Sequence, residues 1–125
     1  MRNLSFCSFL LIFLVFPFEA MAQYQSVIDA WVTQDARNPP AKDSVLFLGS
    51  STIRGWESLT QDLADYNVIQ RGFGGASNGN LIQYIDDVVI PYDPAAIVMY
   101  TRSLETNDDR ALQDRIRFFE LVHSK

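Results

Sequence analysis

The chain has 125 residues, a hydrophobic fraction of 48% and a formal net charge of −5 at pH 7. That length allows one domain or part of one. The acidic balance gives no support to binding of nucleic acid or of an anionic membrane surface, and a single cysteine excludes an intrachain disulfide framework.

Met1-Arg2-Asn3 supplies one positive charge, Leu4 to Phe18 is almost wholly apolar, and Ala20-Met21-Ala22 fits a small-x-small cleavage site. This is the pattern of a secretory signal peptide over residues 1–22, cut before Gln23. Pro17 and Glu19 leave the apolar run short of the roughly 20 residues that a membrane span needs. The expectation is an exported chain, periplasmic or secreted, with its domain over residues 23–125. Cys7 departs with the leader, so the mature core stands on packing alone. Arg2 and Glu19 depart together, and the net charge is unchanged.

Tyr24, Val27, Ile28 and Trp31 recur at helical spacing and predict an amphipathic helix over 24–36, stopped at Asn38-Pro39-Pro40. Residues 44–48 form the first predicted strand, closing in Gly49-Ser50-Ser51. Leu59, Leu63 and Tyr66 mark a short helix over 57–65. Asn67 to Gln70 is a second strand, running into Arg71-Gly72-Phe73-Gly74-Gly75-Ala76-Ser77. Leu81, Ile82, Ile85, Val88 and Val89 predict a helix over 79–89. Residues 95–101 are a third, wholly apolar strand, and Leu112, Ile116, Phe119 and Val122 describe a last helix from Asp108.

Strands alternating with helices imply right-handed crossovers and a parallel sheet covered on both faces. The expected fold is a three-layer α/β/α sandwich with a flavodoxin-like parallel sheet, here only about three strands wide.

Three stretches carry possible chemistry, each at the end of a strand, where open α/β sheets place their sites. Ser51 follows a buried strand and a glycine, which suits a nucleophile; Ser50 and Ser51 equally suit a turn or a helix cap. Gly72 to Ser77 nearly matches a dinucleotide fingerprint, but Ser77 stands where the third glycine belongs. Its alternatives are a purely structural turn or a cradle of backbone N–H groups for an anion or oxyanion. Asn107-Asp108 after the third strand suits a helix N-cap.

Taken together, these stretches resemble the SGNH (GDSL-like) hydrolases. Gly49-Ser50-Ser51-Thr52-Ile53-Arg54-Gly55-Trp56 is similar to their first block, in the branch where Gly-Asp-Ser is replaced by Gly-Ser-Ser. Asn67 to Ser77 is similar to the second block, and Asn107-Asp108 to the end of the third, Gly-x-Asn-Asp. The third block lacks its glycine, and Arg102-Ser103-Leu104 stands as an insertion before it.

The resemblance implies a serine ester hydrolase acting on an acyl ester or a carbohydrate acetyl ester. Ser51 would be the nucleophile, Gly74 the backbone oxyanion donor and Asn107 the side-chain donor. It implies no cofactor and no metal, a small-molecule or glycan ester as partner, and an SGNH sheet of order 2-1-3-4-5. In that order the third strand lacks its outer neighbour here, and self-association through the open edge is expected.

The family's fourth block, D-x-x-H, is absent. The sole histidine, His123, lies in an E-x-x-H with Glu120, but some 15 helical residues, about 22 Å, carry it away from Asn107. The expectation is a partial SGNH domain, inactive by itself. A non-catalytic exported binding domain, using the glycine loop for an anionic or sugar ligand, is the alternative.

Overall fold

Val45, Leu46, Phe47 and Leu48 leave no polar face, so the strand that they form must be covered on both sides. In the structure, a computed structural model that describes residues 16–102 and 108–125, this strand is the centre of the sheet. β1 (Val45–Gly49) lies between β2 (Val68–Gly72) and β3 (Ala96–Tyr100), and both pairings are parallel. The register sets Val45 opposite Val68 and Ala96, and Gly49 opposite Gly72 and Tyr100. All three strands therefore end level with one another, at one edge.

The strand alternation divides the core. Leu46, Leu48 and Ile69 pack with Ile28 of α1 (Phe16–Arg37), Leu81 of α4 (Asn78–Gln83), Val88 of α5 (Ile85–Val88) and Phe118 of α6 (Asp109–His123). Phe47 faces the other way, onto Ile53 of α2 (Ser51–Arg54) and Leu59 of α3 (Leu59–Asp62). Helices thus cover both faces, giving a three-layer α/β/α sandwich with the flavodoxin-like order β2-β1-β3. Among the described residues β3 pairs only with β1, and Val98 is 43% exposed.

The helices differ most from their predicted extents. The helix over 57–65 is a single turn, α3, which ends where Leu63 leaves helical geometry. Trp56 Nε1 and Ser58 Oγ both donate to the Asp62 carboxylate, at 2.6 and 2.7 Å. These bonds, Ser58 first, hold the Asp62 carboxyl below the usual range. The helix over 79–89 breaks at Tyr84, whose buried ring meets Phe73 edge-on at 6.4 Å. The residues after the break are rich in β-branched side chains, which are weak helix formers, so core contacts set their path, through α5 and a 3₁₀ turn (Ile90–Tyr92).

A half-buried polar cluster around the buried Arg71 ties α1 to the sheet. Arg71 Nη2 bonds both carboxylate oxygens of Asp35, at 2.8 and 2.7 Å, and Arg71 Nε donates to Tyr92 Oη at 2.8 Å. Tyr92 Oη donates in turn to Asp35 at 2.6 Å. The guanidinium also lies 5.3 Å from the centre of the Trp31 ring. Burial, with help from the bond to Asp35, pushes the Tyr92 hydroxyl up to about 12.

Candidate active site

At the carboxyl edge the chain turns within one residue of β1. Gly49 has φ +155°, and a methyl group on it would lie 1.7 Å from the Tyr100 carbonyl oxygen. Only glycine lets β1 end this close to β3. The Ser50 N–H then donates to that same carbonyl at 2.9 Å. Ser50 is buried at the N-cap position of α2, but its side chain makes no capping bond. Ser51, the first residue of α2, is exposed, and among the described residues nothing hydrogen-bonds its hydroxyl. The side chain of Gln70 closes the far end of this turn, donating to the carbonyls of Ile53 at 2.6 Å and Trp56 at 3.0 Å.

The glycine loop leaves β2 beside it. The Phe73 N–H donates to the Gly49 carbonyl at 3.0 Å, which joins the residue before Gly74 to the strand end before Ser51. Phe73 is the loop's anchor, buried against Tyr24 at 5.0 Å and Trp31 at 5.9 Å between ring centres. Tyr24 Oη donates to the Gly74 carbonyl at 3.0 Å, and Gly75 takes φ +75°, a left-handed conformation that favours glycine. Ser77 then starts α4 with a capping box, its hydroxyl receiving the Asn80 N–H while its own N–H bonds the Asn80 side chain.

No protein-family model matches the sequence, and no curated protein matches it significantly. Solved structures do match. A candidate acylhydrolase from Bacteroides fragilis superposes with a TM-score of 0.59 at 26% identity, over 74% of this chain and 50% of its own. A GDSL-like lipase from Bacteroides thetaiotaomicron gives 0.64 at 19% identity, over 78% and 53%. A candidate platelet activating factor from Streptococcus pneumoniae gives 0.67 at 15% identity, over 89% and 54%. The chain has the SGNH, or GDSL-like, hydrolase fold. It spans about half the length of the solved chains that it matches.

Of the three SGNH-like blocks, the first two meet at one edge of the sheet, through the bond from Phe73 to Gly49. Asn107 and the stretch Ser103 to Glu105 lie outside the described residues. Asp108 caps α6, its carboxylate accepting the Arg110 N–H at 3.0 Å. The two sides of the third block are nonetheless fixed to the glycine-loop side of the site. Asn78, at the start of α4, accepts from Thr101 Oγ1 at 2.6 Å and donates to the Ala111 carbonyl at 2.9 Å. Asn78 and Thr101 are both buried. One carboxamide thus clamps the chain just before and just after residues 102–110.

His123 is exposed at the far end of α6, its Nδ1 2.7 Å from the Phe119 carbonyl oxygen. A cleft of about 620 Å³, lined by Asp35, Pro40, Lys42, Asp43, Pro91 and Tyr92, opens beside the segments that lead into β1 and β3. That is the amino edge, opposite Ser51. Among the described residues no group of His, Cys, Asp and Glu could hold a metal ion.

Sequence reasoning singled out Ser51 and Gly74 but missed Tyr24, which bonds the Gly74 carbonyl, Gln70, which bonds the turn after Ser51, and the Asn78–Thr101 pair. Tyr24 and Asn78 carried one weak signal, polar atoms on otherwise apolar helical faces.

Proposed function

We propose that the chain carries the nucleophile and the oxyanion donors of an SGNH-type serine ester hydrolase, acting on an acyl ester or a carbohydrate acetyl ester. The supporting observation is the joining of the Ser51 turn to the Gly74 loop at the carboxyl edge, through the bond between Phe73 and Gly49. The neighbours named as acylhydrolase and GDSL-like lipase point the same way.

In this reaction Ser51 Oγ attacks the ester carbonyl carbon and loses its proton to a base. The carbonyl oxygen takes the negative charge, received by the N–H groups of Ser51 and Gly74 and the side chain of Asn107. One such donor is worth about 3–4 kcal/mol in the transition state. Collapse breaks the bond to the alcohol, which leaves with a proton, and water then releases the acyl group from Ser51.

The base is an imidazole in the Ser-His-Asp arrangement. His123, at the far end of α6, does not serve. Without that imidazole the Ser51 hydroxyl keeps its proton near neutral pH, so this chain by itself is silent, or turns over at a residual rate about 10³-fold above water.

The test is hydrolysis of p-nitrophenyl acetate by the protein as its own gene produces it, with and without Ser51→Ala. Where the assayed protein includes the imidazole and turns over, loss of at least about 10³-fold in kcat is expected; turnover indifferent to the substitution removes Ser51 from the mechanism. Saturable glycan binding that survives Ser51→Ala and is lost in Gly74→Val, with no turnover in any form, would put the binding-domain alternative in its place.

Two further expectations belong to this reading. Residues 1–22 act as an export signal, which N-terminal sequencing of the exported form checks. The single-sided pairing of β3 and the exposure of Val98 make that edge a surface for self-association.

A further inference from the structure

The geometry points to an anion subsite at Arg54, beside Gly74, that selects esters carrying a carboxylate. It rests on the Ser51 and Gly74 reading only for calling the neighbouring groups a catalytic centre.

Arg54 ends α2, three residues after Ser51. Residues at that spacing are neighbours on a helical surface, with Cβ atoms about 5–6 Å apart. Its path is set by two glycines. A methyl group on Gly72 would lie 2.3 Å from the Arg54 nitrogen and 2.8 Å from its Cα, so only glycine lets the arginine backbone rest on the end of β2. Two residues on, a methyl group on Gly74 would lie 3.1 and 3.3 Å from the two terminal guanidinium nitrogens. The side chain therefore runs from Gly72 to Gly74 and ends against the residue assigned as oxyanion donor.

The guanidinium is exposed, and no carboxylate among the described residues pairs with it. The contrast with Arg71 is informative. That arginine is buried, and Asp35 neutralises it. Arg54 keeps its charge at the mouth of the site, in a protein whose net charge of −5 otherwise repels anions. A guanidinium is a positive charge that attracts a carboxylate, whatever its orientation. A carboxylate on the acyl or alcohol side would dock there while the ester carbonyl lies over Ser51.

The test uses a matched pair of small esters, monomethyl succinate and dimethyl succinate, titrated into the isotope-labelled chain while the amide signals of residues 72–75 are followed. Binding needs no general base, so the measurement works whether or not the chain turns over. An exposed ion pair of up to about 1 kcal/mol gives a preference of about fivefold for the monoanion. The preference should fall to parity in Arg54→Gln, persist in Arg54→Lys and shrink at high salt.

An unchanged preference in Arg54→Gln overturns the subsite. Equal loss in Arg54→Lys and Arg54→Gln also overturns it, since the lysine keeps the charge; thermal melts of both variants check folding. Ser51-dependent turnover without this preference refutes the subsite alone. A preference that persists in Ser51→Ala while the turnover test fails refutes only the hydrolase reading.

Discussion

Asn78→Ala removes the one carboxamide that holds both flanks of residues 102–110. The substitution deletes the bond to the Ala111 carbonyl and takes from Thr101 Oγ1 its acceptor, at a site where both side chains are buried. Two net hydrogen bonds are worth about 1 kcal/mol each, and a buried hydroxyl left unpaired adds about 1–3 kcal/mol. The loss should total about 3–5 kcal/mol, a fall in Tm of roughly 15–25 °C for a domain of this size. Urea unfolding followed by circular dichroism measures it. Thr101→Val supplies the control, because it removes the hydroxyl that Asn78→Ala strands. The double variant should therefore be more stable than the sum of the single losses implies, by about 1–2 kcal/mol. Amide exchange at the start of α6 should rise in Asn78→Ala. A loss under about 0.5 kcal/mol, or strict additivity with Thr101→Val, would refute the clamp.

Gly49→Ala should abolish folding or cost more than about 4 kcal/mol, because its Cβ would meet the Tyr100 carbonyl at 1.7 Å; a soluble, cooperatively melting variant would contradict this. The Tyr92 hydroxyl, raised from its ordinary value of 10.0 to about 12, favours the folded state while protonated. Its contribution is complete below pH 10 and is lost as pH rises from there through about 12, since the unfolded chain gives up its proton first. Denaturant unfolding across that window, with Tyr92→Phe as reference, should show the slope only in the parent; two units correspond to at most about 2–3 kcal/mol. Val98→Lys, on the open edge of β3, should shift the chain toward monomer in size-exclusion chromatography, and an elution volume equal to the parent's would remove that edge from self-association.

The central strand was legible because a parallel strand buried on both faces must be apolar throughout, and residues 45–48 satisfy that locally; residues 95–99 are as apolar, although none of β3 is buried. Alternation with helices then left few sheet orders, and β2-β1-β3 is the one observed. Short helices were less legible. A single turn such as α3 is held by side-chain bonds to Asp62, and the break at Tyr84 by a ring contact with Phe73, neither of which shows in apolar spacing.

The site divides along the same line. Gly49, Gly72 and Gly74 announce that something comes close, but sequence does not say what. The structure gives a different answer for each: the Tyr100 carbonyl, the Arg54 backbone and the Arg54 guanidinium. Each contact joins segments distant in the chain, as do the bonds of Asn78 to residues 23 and 33 positions away. These glycines serve first to let the chain's own backbone and one cation crowd the strand ends. That crowding joins the end of β1, just before Ser51, to the loop that carries Gly74. Substitutions at Gly72 and Gly74 should consequently differ in kind. At Gly72 a side chain meets backbone and the turn cannot yield, whereas at Gly74 it meets the end of a flexible side chain that can swing away. Gly72→Ala should behave as a folding defect in thermal melts. Gly74→Ala should fold normally and lose the Arg54-dependent carboxylate preference, and a Gly74→Ala variant as unstable as Gly72→Ala would refute this division.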